Sequence, residues 1–199
     1  MKKTVIAFSA LAILFAGAAC NPKESDTAKE SKCPEGAVDL GIMMTREDGS
    51  TYKIYWAKSN LCKSGLCANP EDFGDYYAWE EVSSKENDPA RAKLGGKWRT
   101  PTDAELTALV DQCTWTWTTQ NGVHGRLVTS SNGNSIFLPG SGYRDDTDTH
   151  IADGHGYYWS SSLRTSEPDN AWGLYFNSMY FSKYVFPRFH RQSVRPVSE

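Results

Sequence analysis

Apolar and polar residues alternate over several short stretches of the chain, and this spacing predicts a series of short β-strands. The clearest case is 171–177, where Trp172, Leu174 and Phe176 alternate with smaller or more polar residues. A period of two places the bulky side chains on one face of a strand, which indicates that this face is buried. Similar stretches predict strands at 38–43, 51–57, 126–129, 135–138, 157–161 and 193–197, with turns at 46–49 and at the Asn-Gly hairpin of 130–134.

One clear helix interrupts these strands, and a capping pattern marks where it begins. Thr102 is the predicted N-cap, and Glu105 stands three residues later, which is the spacing of a capping box. Leu106 and Leu109 then lie on one apolar stripe, so the helix is predicted over 103–112. Together the elements predict an α+β domain built from short antiparallel strands with one or two helices.

Residues 1–19 have the features of an export signal. Lys2 and Lys3 precede an apolar stretch at 5–15 that is too short to span a bilayer. Small residues come directly before Cys20, and this order resembles the lipobox of bacterial lipoproteins. The resemblance implies that Cys20 carries several acyl chains, which tether the mature chain to a membrane. An ordinary secretory signal followed by a chance cysteine is the alternative.

A predicted tether joins this anchor to the folded part of the chain. Residues 20–34 contain no large apolar residue, so we predict a flexible segment followed by one domain over 35–199. Asn21 stands where an Asp often signals retention in the inner membrane, which favours delivery to the outer membrane of the cell envelope. We also expect the domain to be exposed at the cell surface.

Without Lys2 and Lys3 the mature chain has 19 basic and 24 acidic side chains, a net charge of −5. The sequence has no basic block, which argues against nucleic acid as a partner.

Four cysteines follow Cys20, namely Cys33, Cys62, Cys67 and Cys113. An even number of cysteines in an exported chain favours disulfides, and four cysteines allow three pairings. Cys62 and Cys67 bracket a short loop, so we predict a local disulfide there and a long-range Cys33–Cys113 bridge. Pairing of Cys113 with Cys62 or Cys67 is the alternative. The spacing is unusual for zinc and no second pair follows, so no metal and no other cofactor is predicted.

Seven motifs occur in order along the domain: PEDFGDYYAW at 70–79, WRTPTDAE at 98–105, CTWTW at 113–117, SIFLP at 135–139, GYR at 142–144, GYYWSS at 156–161 and SVRPV at 193–197. Together they resemble the Fibrobacter succinogenes major paralogous domain, a relative of DUF1566-type domains and of formylglycine-generating enzymes. The resemblance covers 37–199 and implies a C-type-lectin-like fold with a long irregular segment on one face. Where family members often have Trp-Ala-Thr-Cys-Asn, this chain has WAKSN at 56–60, so no disulfide is transferred from the family.

The chain is not predicted to be an enzyme. The formylglycine-generating relatives use a copper-binding cysteine pair near the C-terminus, whereas the last cysteine of this chain is Cys113. His124, His150, His155 and His190 are present, but no nucleophile-elbow motif surrounds any serine. The sequence therefore lacks the reactive groups that oxidase or hydrolase chemistry requires.

Aromatic residues are concentrated in the last third of the chain. Of its 25 Trp, Tyr and Phe residues, 12 lie from residue 140 onward, and 179–190 is neither helical nor cleanly alternating. Aromatic and basic side chains on loops of a rigid scaffold are typical of binding surfaces, so we predict loops at 143–155, 163–170 and 179–190 that contact a glycan or a protein. The alternative for part of these rings is core packing. The predicted ligand-binding residues are Arg144, Asp145, Asp146, Asp148, His150, His155, Arg164, Asn170, Tyr175, Tyr180, Phe181, Tyr184, Phe186, Arg188, Phe189 and His190.

Two further interpretations bear on these residues. The acidic residues of 145–153 have oxygen ligands that suit calcium, but their spacing does not match an EF-hand, and solvated turn carboxylates are the preferred interpretation. Related lectin-like domains serve as variable proteins of diversity-generating retroelements, and the residue types of 143–190 suit this role, although Met179 and Lys183 do not arise from the mutated codons. The sequence therefore predicts a surface lipoprotein that binds a ligand. A structural envelope lipoprotein without a soluble ligand is the alternative.

Overall fold

The computed structural model describes residues 32–199. The predicted signal peptide, Cys20 and the tether up to residue 31 lie outside the described residues. Strands make up 45% of the described residues and helices 12%, so the domain is mostly β. No helix between residues 32 and 199 is both long and apolar enough to cross a bilayer.

Seventeen strands and three helices occur within the described residues. The elements of the first part are β1 (Ala37–Val38), β2 (Met43–Thr45), β3 (Thr51–Lys53), β4 (Tyr55–Ala57), β5 (Leu61–Cys62), β6 (Gly65–Leu66), β7 (Tyr77–Ala78), α1 (Trp79–Ser83), α2 (Pro89–Leu94) and α3 (Asp103–Gln112). Those of the second part are β8 (Cys113–Gln120), β9 (Val123–Ser130), β10 (Ser135–Pro139), β11 (Ser141–Asp145), β12 (Asp148–His150), β13 (His155–Leu163), β14 (Asn170–Phe176), β15 (Phe181–Pro187), β16 (Arg191–Gln192) and β17 (Val197–Ser198).

The largest sheet has seven strands in the order β15-β14-β13-β11-β16-β7, with β12 also paired to β11. Strands β13, β14 and β15 form an antiparallel meander, whereas β11 runs parallel to β13. In the meander Tyr157 stands opposite Tyr175, and Gly173 stands opposite Tyr184. Because opposed residues and residues two apart share a face, the three tyrosines project from the same side of this sheet.

Smaller sheets complete the domain. One has the order β10-β9-β8 and consists of consecutive antiparallel hairpins, and another has the order β1-β4-β17 and joins the two ends of the described chain. Two separate hairpins are formed by β2 with β3 and by β5 with β6.

The two faces of the large sheet contact different core clusters. On the inner face, Tyr158, Leu174 and Phe176 pack with Leu106 and Leu109 of α3, and each of these side chains is at most 1% exposed. A second cluster covers part of the outer face below α1 and consists of Leu61, Tyr77, Trp79, Val82, Ala90, Trp159, Ala171, Phe186 and Val194. The remainder of the outer face carries the candidate site.

The predicted α+β, C-type-lectin-like fold is wrong. The described chain has only three short helices beside its many strands, and the segment expected to be irregular folds largely as β11 to β15. Residues 181–187 pair with β14 along their full length. Pro187 is tolerated because it is the last residue of an edge strand, where a missing N–H removes little from the sheet.

Two local predictions are confirmed. The helix predicted at 103–112 is α3, and both hydrogen bonds of its capping box form: Glu105 N–H donates to Thr102 Oγ1 (3.3 Å), and Thr102 N–H donates to Glu105 Oε2 (2.8 Å). The predicted hairpin turn joins β9 and β10, and Gly133 supplies the left-handed conformation there with φ 86°. Both features depend on residues that are close in sequence.

The strand predicted at 193–197 is wrong over most of its length, because only Val197 belongs to a strand. Its backbone is instead held by contacts to separate parts of the fold, such as Trp159 N–H to Ser193 O (3.1 Å) and Leu61 N–H to Val194 O (3.0 Å). Within this segment the side chain of Arg195 is 1% exposed and lies at the centre of the domain.

The local disulfide predicted between Cys62 and Cys67 is confirmed, and it links the short strands β5 and β6. The predicted Cys33–Cys113 bridge is wrong. Cys33 is an exposed free thiol, and Cys113 is a half-buried free thiol directly after α3. The alternative pairing of Cys113 with Cys62 or Cys67 is excluded, since those two cysteines bond to each other.

Iodoacetamide treatment of the unreduced, native chain should alkylate Cys33 quickly and Cys113 slowly, and should leave Cys62 and Cys67 unmodified. Burial raises the pKa of both free thiols, so the difference in rate comes from the greater exposure of Cys33. Peptide mass spectrometry over a time course measures this order. A cross-linked peptide containing Cys33 and Cys113 would contradict it.

Candidate binding site

A row of tyrosines crosses four strands on the outer face of the large sheet. Tyr184 lies on β15, Tyr175 on β14, Tyr157 on β13 and Tyr143 on β11. Their side chains meet because each strand contributes an outward-pointing residue at the same level of the sheet. We call these four residues the tyrosine row.

Successive rings of the tyrosine row are in contact. The distances between ring centroids are 6.2 Å for Tyr184–Tyr175, 5.1 Å for Tyr175–Tyr157 and 5.1 Å for Tyr157–Tyr143. Tilted and edge-on pairs of this kind are the geometry that aromatic quadrupoles favour. The ring of Phe186, on the same face of the sheet, packs 5.3 Å from Tyr157 and 5.5 Å from Tyr184 and is only 5% exposed. The row therefore rests on the second core cluster.

Further rings extend the surface beyond Tyr143. His150 stacks 5.0 Å from the Tyr143 ring, and His190 packs 4.5 Å from the same ring. Phe189 is edge-on to His190 at 4.7 Å and is 67% exposed. Desolvation lowers the pKa of His190, which favours its neutral form at pH 7. This end of the surface is therefore a cluster of aromatic and imidazole rings.

Hydrogen bonds fix the position of Tyr175. Its hydroxyl lies 2.8 Å from His155 Nδ1 and accepts a hydrogen bond from Asn177 Nδ2 at 2.9 Å. The ring of Tyr180 lies 6.2 Å from Tyr175 and is 49% exposed. Tyr175 is thus held in place from two sides, and Tyr180 widens the aromatic surface beside it.

The other three hydroxyl groups of the row, those of Tyr143, Tyr157 and Tyr184, make no hydrogen bonds within the described residues. Burial, together with the neighbouring phenols, raises the pKa of Tyr157 to about 12, so this hydroxyl keeps its proton at physiological pH. The row offers ring faces and uncharged hydroxyl groups side by side.

Charged side chains lie at the margin of this surface and are largely paired. Arg188 Nη2 is 2.7 Å from Glu80 Oε1, and Arg191 Nη1 is 3.2 Å from Glu81 Oε2. Arg144 lies with its guanidinium 4.7 Å from the ring of Tyr76. On the described residues of β13, β14 and β15, no Asp, Glu, Lys or Arg projects from the outer face.

A shallow depression of about 430 Å³ lies beside Tyr175, whose hydrogen-bond partners His155 and Asn177 form part of its wall. In it His124 stacks on Trp117 with ring centroids 6.1 Å apart, and His124 Nδ1 lies 3.1 Å from Asp153 Oδ2. The backbone N–H and the ring of His124 both donate to Asp153, and this lowers the pKa of that carboxyl.

Many of the sequence-predicted ligand residues do come together here. The outer face holds Tyr175, Tyr180, Tyr184, His150, His155, Phe189 and His190, with Arg144 and Arg188 at its margin. Two predicted residues are not available to a ligand in this arrangement. Phe186 is a core residue, and Phe181 lies on the inner face, stacked 5.0 Å from Trp115.

The other predicted residues add no ring to this surface. Arg164 and Asn170 line a separate depression beside Trp172. Asp145, Asp146 and Asp148 are exposed in the β11–β12 hairpin, where the charge of Asp145 acts on His190. Across residues 32–199, no group of three or more His, Cys, Asp and Glu side chains is arranged to hold a metal ion.

Tyr143 and Tyr157 are absent from the sequence-predicted set, although they form half of the row. A partial signal exists, because consecutive residues of a strand point to opposite faces and one of Tyr157 and Tyr158 must therefore face outward. Which of the two does so depends on the pairing of β13 with β14, which joins residues far apart in sequence.

Comparison with known proteins gives a family for this domain. No curated protein and no solved structure matches the chain. The family model described as the Lcl C-terminal domain matches residues 45–198, which is most of the chain and nearly all of its described part. This is a DUF1566-like family, so the resemblance found in the sequence motifs is confirmed at that level. The chain belongs to the Lcl C-terminal domain family.

Proposed function

We propose that this chain is a surface-anchored lipoprotein whose domain binds a glycan or a protein through the tyrosine row and the rings beside it. The observation that carries the proposal is the continuity of these rings across four strands of a rigid sheet. Single exposed apolar residues are common on protein surfaces, whereas contiguous patches mark interaction sites. Tyrosines on rigid supports are also among the residues that contribute most binding energy at interfaces.

The exposure of the outer rings supports a role in binding rather than in stability. Tyr184 is 54% exposed, Tyr180 is 49% exposed and Phe189 is 67% exposed. Rings with this much accessible surface add little to the core, yet they keep a large apolar area available to a partner. The firmly packed rings below them hold the surface in one arrangement, which lowers the entropy lost on binding.

The anchor and the location belong to the same proposal. Acyl chains on Cys20 would hold the domain at the outer membrane, and the polar residues 20–34 would let it reach away from the lipid surface. Membership of the Lcl C-terminal domain family is consistent with a surface protein. We also propose a closer relationship to the Fibrobacter succinogenes major paralogous domain.

We further propose that a diversity-generating retroelement varies residues 143–190. That variation would require a template repeat and a reverse-transcriptase gene beside this gene.

A triple variant with Tyr180→Ala, Tyr184→Ala and Phe189→Ala tests the proposal. It should unfold at nearly the same temperature as the parent chain, because each exposed substitution changes stability by only about 0.5 kcal/mol. It should lose binding to a glycan array and to envelope and host-surface extracts. Met43→Ala is the matched control, since Met43 is 49% exposed but lies on the separate β2–β3 hairpin.

A purely structural role of these rings predicts a large loss of stability in the triple variant. If these rings serve only the fold, the triple variant should lose stability on the scale of buried Phe→Ala changes, about 3–5 kcal/mol each. A parent chain that binds nothing on either platform, or a triple variant that binds as well as the parent, would also reject the proposal.

A further inference from the structure

We propose that the tyrosine row binds an uncharged, linear oligosaccharide that lies across strands β11 to β15. This inference rests on the proposed function and commits it to one class of ligand. Three properties of the row carry it: the spacing of its rings, the chemistry of its hydroxyls and the absence of charge between them.

The spacing of the row suits a chain of sugar rings. Adjacent strands of a sheet are about 4.8 Å apart, and the row places one ring on each successive strand. The resulting centroid distances of 5.1 to 6.2 Å are close to the length that one sugar ring and its linkage occupy in an extended chain. Several consecutive sugars can therefore each meet a tyrosine, which a single compact ligand cannot do.

The chemistry of the row matches a sugar better than a peptide. A sugar ring combines an apolar C–H face with hydroxyl groups at its edge, and a tyrosine offers a ring face together with a hydroxyl. The hydroxyls of Tyr143, Tyr157 and Tyr184 have no partner among residues 32–199 and are free to donate or accept. A protein partner typically anchors an apolar side chain in a pocket, but the apolar ring at the centre of this surface, Phe186, is only 5% exposed.

Charge decides against acidic oligosaccharides. A sulfate or carboxylate that leaves water needs a cationic partner, because burial of an unpaired charge is costly. The outer face of β13, β14 and β15 offers no Lys or Arg within the described chain. At the margin, Arg188 and Arg191 are already paired with Glu80 and Glu81. Arg144, next to Tyr143 on β11, has its guanidinium over the Tyr76 ring and donates to Thr149 Oγ1.

Calorimetric titration of the full chain with defined hexasaccharides tests this inference. The uncharged probes are cellohexaose, xylohexaose, mannohexaose and chitohexaose, and the acidic probes are a galacturonic acid hexamer and a heparin hexasaccharide. We expect at least one uncharged probe to bind with a Kd below about 1 mM, and neither acidic probe to bind more tightly. This binding should change little between 50 and 500 mM salt, because it involves no ion pairs.

Substitutions at one exposed position separate the ring from its hydroxyl. Tyr184→Ala should weaken the binding by about tenfold, which corresponds to a loss of about 1.4 kcal/mol. Tyr184→Phe should weaken it by roughly threefold, because the ring stays and one hydrogen bond is lost. Met43→Ala should leave the affinity unchanged. Thermal unfolding of each variant ensures that the altered affinity is measured on folded protein.

The other possible outcomes distinguish failure of this inference from failure of the proposed function. Tighter binding of an acidic probe with steep salt dependence would overturn the inference but leave the binding role in place. Loss of all oligosaccharide binding with retained, Tyr184-dependent binding of a surface protein would do the same. If no probe and no surface extract binds, both the inference and the proposed function fail.

Discussion

Replacing Arg195 with methionine should lower the free energy of unfolding by about 3 kcal/mol or more. The side chain is 1% exposed and donates three hydrogen bonds to different parts of the fold. Nε donates to Asn60 Oδ1 (2.9 Å), Nη1 to Ala57 O (3.1 Å) and Nη2 to Phe137 O (2.8 Å). Methionine keeps most of the volume but leaves three buried acceptors without donors, and each such loss costs about 1–3 kcal/mol.

Removal of the buried charge of Arg195 partly offsets this loss of unfolding free energy. Burial lowers the pKa of Arg195 to about 10, which still leaves the guanidinium protonated at pH 7. No carboxylate within residues 32–199 forms an ion pair with it, so carbonyl and amide oxygens solvate the cation together with the neighbouring Tyr158 hydroxyl. Removal of a charge held in this way recovers part of its desolvation energy, which is why the expected loss is near the lower end of the range for three acceptors.

Urea unfolding followed by tryptophan fluorescence measures the effect of Arg195→Met. Arg144→Met is the matched control, since Arg144 is exposed and, among the described residues, makes one hydrogen bond, to Thr149 Oγ1 (2.9 Å), besides its contact with the Tyr76 ring. The control should change the unfolding free energy by about 1 kcal/mol at most. Similar losses in the two variants would show that the buried guanidinium does not hold the three segments together.

The elements that could be predicted from the sequence are those fixed by neighbouring residues. Helix α3 follows from Thr102 and Glu105, because the capping box joins side chains and backbone within a single turn. The β9–β10 hairpin follows from the Asn132-Gly133 step, since glycine adopts the left-handed conformation of the turn without strain. The Cys62–Cys67 disulfide likewise closes a short loop.

The tyrosine row could not be predicted to the same extent, because long-range strand pairing creates it. In β15, Phe181 packs on the inner core while Tyr184 projects outward, so aromatic residues occur on both faces and no simple alternation appears. The same difficulty hides the buried role of Phe186, whose ring contacts Trp159 of β13. The aromatic content of this part of the chain indicates a binding surface. Which of the rings lie on that surface depends on the register in which β13, β14 and β15 pair.

Glu105→Gln should destabilise the chain by about 3 kcal/mol at pH 7 and should flatten the acid limb of its stability profile. Glu105 is 1% exposed. Its carboxylate accepts two hydrogen bonds from Arg99 (2.7 and 2.6 Å), one from Thr102 N–H (2.8 Å) and one from the Tyr52 hydroxyl (2.9 Å). A neutral amide cannot accept all four bonds, and it leaves Arg99 with Glu199 as its remaining carboxylate partner.

The direction of the pH dependence follows from the pKa of Glu105. Burial alone would raise this pKa, but the hydrogen bonds and positive charge of Arg99, with the Thr102 N–H and the Tyr52 hydroxyl, outweigh burial and hold it below the ordinary value of 4.5. A carboxyl whose pKa is lower in the folded state stabilises the fold above its unfolded pKa, and this contribution is lost as the pH falls towards the folded pKa. The parent chain should therefore lose more stability between pH 5 and pH 3 than Glu105→Gln does.

Urea unfolding of both chains at several pH values between 7 and 3 tests this difference. Glu167→Gln is the control, because Glu167 pairs with Arg164 at the surface with half of its side chain exposed, and such pairs contribute about 0.2–1 kcal/mol. Its stability profile should run nearly parallel to that of the parent. Parallel profiles for the parent and Glu105→Gln would instead mean that other carboxyl groups produce the acid sensitivity, and that the buried Arg99–Glu105 pair titrates alike in the folded and unfolded chains.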